Sequence, residues 1–110
     1  MDLANSLRQL PKAELHHHLD GSVRPQTAVE LGEGVGIKLT FDEALARMQA
    51  PERCADQAEL LTYFDLPIAV LQTEAALERV TAELIDDLAA DGIRYAEIRW
   101  GPRLHLTGGL

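Results

Sequence analysis

Three consecutive histidines, His16, His17 and His18, with Asp20 close behind, are the residues of this chain best suited to chemistry. A neutral imidazole offers a nitrogen lone pair to a metal near neutral pH, and residues two apart on a strand project to the same side. On a strand, therefore, His16 and His18 present two rings to one ion while His17 points away, and the backbone holds both rings in place. The spacing alone also suits two histidines with no ligand role. An expression-tag remnant would cluster histidines too, but the continuation into LDGS at residues 19–22 is not explained by a tag. Asp20 precedes Gly21, a favoured turn pair, so its carboxylate is either a turn residue or an acceptor for a ligand hydroxyl.

The elements that must position these groups follow from periodicity. Residues 12–19 lie between Pro11 and Gly21 and alternate Leu15, His17, Leu19 against Glu14, His16, His18, which predicts a strand. Pro25 fits the first turn of a short helix whose apolar face is Ala28, Val29 and Leu31, ended by Gly32, Gly34 and Gly36. Thr40 with Glu43, and Asp56 with Glu59, are capping-box pairs. The first opens a helix with Leu45 and Met48 that stops before Pro51; the second opens one carrying Leu60, Leu61 and Phe64, kinked or broken at Pro67. Thr73 begins a longer helix in which Leu77, Val80, Leu84, Ile85 and Leu88 recur until Gly92 stops it. Residues 93–100 then read as a second strand, with Ile98 and Trp100 on one face and Tyr95, Glu97 and Arg99 on the other. Two strands joined by several helices form a βαβ unit suited to a parallel sheet, and such a sheet needs more strands and cover on both faces. The fold class is α/β, and the unit reads as the opening of a larger fold.

Composition narrows the function. With 110 residues, 46% of them hydrophobic and 25% charged, the chain is the size and make-up of an ordinary globular domain. A net charge of -8 argues against nucleic acid or an anionic membrane surface as the main partner, which leaves a small polar ligand. The apolar runs are far too short to span a bilayer, and the N-terminus lacks a signal-peptide pattern, so the expected location is cytoplasmic. Cys54 is the only cysteine, which excludes an internal disulfide, a cysteine-rich zinc cluster and the zinc site of the cytidine-deaminase type.

The string LPKAELHHHLDGS at residues 10–22 resembles the N-terminal motif of the adenosine deaminases, loosely LPK-x-EL-H-x-H-LDGS. ELLTYFDLP at 59–67 is similar to the family's helical region by the substrate mouth, and YAEIRWGP at 95–102 to its second-strand pattern, Y-x-E-x-R-x-x-P. This resemblance implies a (β/α)8 TIM-type barrel of the metal-dependent amidohydrolase group, of which residues 1–110 are the N-terminal portion of a single domain. It implies one zinc ion per complete site, bound by His16 and His18, with His18 and Asp20 approaching the ribose 5′-hydroxyl. Leu61 and Phe64, beside Leu60, would form a hydrophobic lip over the purine, a role that helix packing serves equally well. The implied activity is hydrolytic deamination of adenosine, and of 2′-deoxyadenosine, to inosine and ammonia in purine salvage. A sister activity on adenine or a modified adenine nucleoside is the alternative, although its motif more often resembles LEG than LDGS.

A catalytic zinc site needs at least three protein ligands and an open position. This chain supplies two, and the resemblance takes the remaining ligands and the catalytic acid and base from later strands, so no residue here is assigned to catalysis itself. Glu97 and Arg99 are expected to face the barrel interior as a buried ion pair, and His105 is expected at the surface. The end of the chain, after Thr107, Gly108 and Gly109, reads as an exposed loop, so the rest of the barrel is expected as a separate chain or as a part removed. A non-catalytic, truncated interaction module is the reading from a different functional class.

Overall fold

A computed structural model of the chain describes residues 2–107; Gly108 and Gly109 of the expected terminal loop lie outside them. Two parallel strands, β1 (Lys12–His18) and β2 (Ile93–Arg99), flank a crossover of five helices. These are α2 (Pro25–Gly34), α3 (Phe41–Met48), α4 (Gln57–Leu61), α5 (Asp65–Val70) and α6 (Glu74–Ala90), with a 3-10 turn at Thr62–Phe64 between α4 and α5.

The helices start where side chains satisfy orphan backbone donors. Thr40, Asp56 and Thr73 accept from the amides of Glu43, Asp56's partner Glu59, and Ala76 at 3.2, 2.8 and 3.1 Å. Pro67 sits inside α5, in its first turn, where a missing N–H costs no helical hydrogen bond. The irregularity expected there falls earlier, at the 3-10 turn. α2 does not end at Gly32 but runs through Gly34. Gly32 is needed because a Cβ would lie 2.6 Å from the Ile37 carbonyl oxygen, and of the three glycines only Gly36 takes a positive φ, 79°.

One helix was not anticipated. α1 (Leu3–Gln9) is capped by Asp2, whose side chain accepts from the Asn5 amide at 2.8 Å, and it buries no residue. It nevertheless makes Gly92 obligatory. That residue, at φ 79°, closes α6, and a Cβ there would lie 2.5 and 2.7 Å from the carbonyl oxygens of Arg8 and Leu10.

The buried core is formed by Leu19, Val23, Ala28, Ala44, Leu66, Val70, Leu71, Ala76, Val80 and Leu84, with Leu77, Leu88 and Ile98 packed against it. On α6 the inward stripe is Leu77, Val80, Leu84 and Leu88. Ile85, expected with them, is half-exposed because one residue turns the side chain about 100° beyond Leu84.

The sheet departs from strict alternation. Glu14 pairs with Ala96 and His17 with Ile98, so β1 carries one residue more than β2 over this span, a bulge at Leu15 and His16. The parity of β1 therefore resets. Glu14, expected on the side of His16 and His18, instead shares the half-buried face with His17, and their side chains approach to 3.8 Å. That face, with Ile98, is the one covered by helices. The opposite face carries Ala13, His16, His18, Tyr95, Glu97 and Arg99 and is exposed.

Candidate functional site

The bulge leaves His16 and His18 aimed at one point. Their Nε2 atoms are 3.1 Å apart, with ring centroids 5.0 Å apart and planes inclined at 49°. Two nitrogens that each lie 2.0–2.1 Å from one tetrahedral ion are about 3.3 Å apart, so the pair fits a shared zinc ion. The same spacing suits one ring N–H donating to the other ring's lone pair. Among the described residues no group of three His, Cys, Asp or Glu side chains converges on a metal position. The pair alone does not complete a catalytic zinc site, which needs at least three protein ligands.

Just beyond the strand the chain turns sharply. The Leu19 amide continues the ladder to the Arg99 carbonyl at 2.9 Å, and the Ser22 amide closes the turn onto the Leu19 carbonyl at 3.1 Å. The Ser22 hydroxyl donates to the His18 carbonyl. Gly21 is not in a left-handed conformation; it is small because a Cβ would meet the Phe64 ring at 3.2 Å. Phe64 in turn sets its edge against His18, with centroids 5.9 Å apart at 70°.

This turn buries Asp20, which is 6% exposed. One carboxylate oxygen, Oδ1, is buried without a hydrogen-bond partner among the described residues, at 3.9 Å from His18 Nδ1. Asp20 and His18 form one side of an open cleft whose other walls are Leu60, Leu61 and Phe64 from the α4 region and Arg99, Trp100 and Leu104 from the end of β2. The residues expected to bind metal and ligand therefore lie together, at the C-terminal ends of both parallel strands. Leu60 and Phe64 also line a second, apolar cavity behind the cleft, with Met48 and Pro67.

Two expectations change. Glu97 and Arg99 are exposed in this chain and form no ion pair among the described residues; Glu97 instead accepts from the Tyr95 hydroxyl at 3.1 Å. The face they occupy is the one without helical cover. His105, expected at the surface, is 1% exposed. It sits in a 3-10 turn, Pro102–His105, that folds back under the cleft. Its Nδ1 lies 2.7 Å from the Leu71 carbonyl oxygen, Trp100 packs on its ring, and its Nε2 faces Asp20 Oδ2 at 4.0 Å.

Gln72, which sequence reasoning passed over, holds that turn in place. Its amide donates to the carbonyls of Ile68 and Leu104 at 2.7 and 2.9 Å and accepts from the Thr107 amide and hydroxyl at 3.0 and 2.6 Å. Neither residue carries a sequence signal: Gln72 is a single amide between two helices, and His105 lies between two leucines that are themselves exposed.

Comparison with known proteins places this arrangement. The family model for adenosine deaminase matches residues 11–110. An adenosine deaminase of Shewanella halifaxensis is 51% identical over 105 residues, covering 93% of this chain and 32% of the relative. One of Clostridium perfringens is 42% identical over 108 residues, covering 96% and 32%. The chain thus spans about a third of the length of the curated relatives it matches. Among solved structures, a zinc-bound amidohydrolase from Burkholderia ambifaria superposes with a TM-score of 0.77 at 28% identity, over 100% of this chain and 30% of that one. An adenine deaminase from Arthrobacter aurescens gives 0.75 at 32% identity, over 91% and 30%. The two parallel strands and their multi-helix crossover are the N-terminal part of a (β/α)8 barrel, and the chain belongs to the adenosine deaminase family.

Proposed function

We propose that this chain is the N-terminal portion of a single barrel domain that deaminates adenosine and 2′-deoxyadenosine to inosine and ammonia, with one zinc ion per site, in cytoplasmic purine salvage. The observation that carries the reading is the convergence of the His16 and His18 Nε2 atoms to 3.1 Å, beside a buried carboxylate and an apolar wall. In this reading His16 and His18 hold the zinc. Zinc in such a site makes water acidic enough to serve as a nucleophile near neutral pH.

The other residues bind and orient the substrate. The Asp20 carboxylate, its Oδ1 unpartnered among the described residues, accepts a hydrogen bond from the ribose 5′-hydroxyl, beside His18. Leu61 and Phe64 cover the purine and exclude water from that wall. The further ligands and the proton-transferring groups come from the rest of the barrel.

The second reading, a deaminase of adenine or a modified adenine nucleotide, is favoured by the fold's likeness to the Arthrobacter adenine deaminase and to an Arabidopsis N6-methyl-AMP deaminase (TM-score 0.66, 30% identity). Asp20, able to accept from a ribose hydroxyl, favours the nucleoside. The test is zinc content and product formation by the full-length protein on adenosine, adenine and N6-methyl-AMP, with His16→Ala beside it. Inosine formation lost together with zinc in the variant is the expected result; preference for either other substrate would overturn the assignment.

A further inference from the structure

His105 and Asp20 are buried polar side chains on different segments, and each has an atom with no partner among the described residues: Nε2 of His105 and Oδ1 of Asp20. We propose that His105 is a positioning residue that fixes the Asp20 carboxylate for the hydroxyl of a nucleoside. The proposal rests on the reading of Asp20 as the group that accepts the 5′-hydroxyl.

The other ring nitrogen orients the ring. Nδ1 lies 2.7 Å from the Leu71 carbonyl oxygen, and a carbonyl only accepts, so Nδ1 carries a proton. The ring is thereby pinned to the α5–α6 junction, and Trp100 packs on it at a centroid distance of 5.2 Å. Nε2 is the one polar atom left, and the charged group it faces is Asp20 Oδ2 at 4.0 Å. A movement of about 1 Å closes that gap to an ordinary N–H···O bond. Both nitrogens donate only in the protonated ring, and the carboxylate opposite Nε2 is the group that matches that charge. Donation to Oδ2 from behind stops the carboxylate from rotating and leaves Oδ1 to the ligand. Gln72 anchors Leu104 and Thr107 on either side of His105 and so fixes the ring's height below the cleft.

The test separates this role from a merely structural one by using the two ends of the ring. His105→Asn keeps an amide near Nδ1, for Leu71, and removes the atom facing Asp20. His105→Gln keeps a donor near Nε2 and gives up the bond to Leu71. In the full-length enzyme, kcat/KM is measured for adenosine and 5′-deoxyadenosine, and Kd for inosine and 5′-deoxyinosine, beside Asp20→Ala. The wild type should prefer the ligands bearing the 5′-hydroxyl by about tenfold or more, and Asp20→Ala should lose that preference. His105→Asn should also lose it, with the 5′-deoxy ligands changed by less than about twofold, while His105→Gln should keep it. Should His105→Asn fail to fold, His105→Gln decides alone: preference kept supports the role, and preference lost overturns it. Equal losses on both ligand types in His105→Asn, or wild-type preference there, overturn the inference while Asp20 keeps its assignment. An unchanged preference in Asp20→Ala overturns the reading of Asp20 itself, and the inference with it.

Discussion

Replacing Gln72 by Leu should loosen the turn beneath the cleft far more than it loosens the core. The Gln72 side chain is 7% exposed and makes four hydrogen bonds, so at about 1 kcal/mol each the whole set is worth at most about 4 kcal/mol. Two of the partners recover. The Ile68 carbonyl still accepts from the Leu71 amide at 3.2 Å, and the hydroxyl of exposed Thr107 turns to water. What remains is the lost tie to the Leu104 carbonyl and the released Thr107 amide, about 2 kcal/mol in the free energy that opens this segment locally. Hydrogen exchange reads that quantity residue by residue: the Thr107 amide should exchange about 30-fold faster, since 2 kcal/mol is that factor at room temperature, while Val80, in the buried stripe of α6, changes little. If Thr107 exchange is unchanged, or rises only in step with Val80, the clamp does not hold the turn and the reasoning fails.

Other outcomes follow from single contacts. Gly92→Ala forces a side chain into a left-handed conformation and against two backbone carbonyls of the α1 segment, so urea denaturation should show a loss of about 2–4 kcal/mol; a loss below about 1 kcal/mol would contradict the geometry. Gly21→Ala pushes on the Phe64 ring, and in the full-length enzyme KM for adenosine should rise about threefold with kcat little changed, whereas a fall in kcat alone would place Phe64 away from the substrate. Arg79 donates to Glu30 and holds its carboxyl below the ordinary value of 4.5. Because a depressed carboxylate stabilises the fold above its unfolded pKa and loses that contribution as pH falls through its folded pKa, Arg79→Met should flatten the stability profile below about pH 4.5 and leave its shape near neutrality alone. A steeper acid limb in the variant would reverse the assignment.

Much of the framework was legible because local chemistry determines it. The capping pairs at Thr40, Asp56 and Thr73 and the apolar steps of α6 act within a few residues, and each element appears where they place it. What could not be read depends on partners distant in sequence. Gly32 looks like a helix stop until the Ile37 carbonyl is seen against it, and Gly21 looks like a turn glycine until the Phe64 ring is. His105 shares the difficulty in sharper form: its burial is decided by Leu71 and Asp20, 34 and 85 positions earlier in the chain. α1 was missed although Asp2, followed by Asn5 and by leucines at 3, 7 and 10, carries a cap and a helical step; a helix that buries nothing gives the apolar pattern little to announce.

The bulge in β1 shows how a strand can bring two imidazoles together without placing the Glu14 carboxylate beside them. Under strict alternation Glu14 would stand with His16 and His18, next along the same face, and its carboxylate would compete for a ring proton. One extra residue at Leu15 and His16 moves Glu14 to the helix-covered face, where it approaches His17, and leaves two rings on the open face with their Nε2 atoms 3.1 Å apart. The backbone there is still tied to Glu14, whose carboxylate accepts from the His16 amide at 3.2 Å. The consecutive histidines are therefore not interchangeable. His17 is the residue that the bulge pairs with Glu14, while His16 and His18, two apart on the strand, face the open side together.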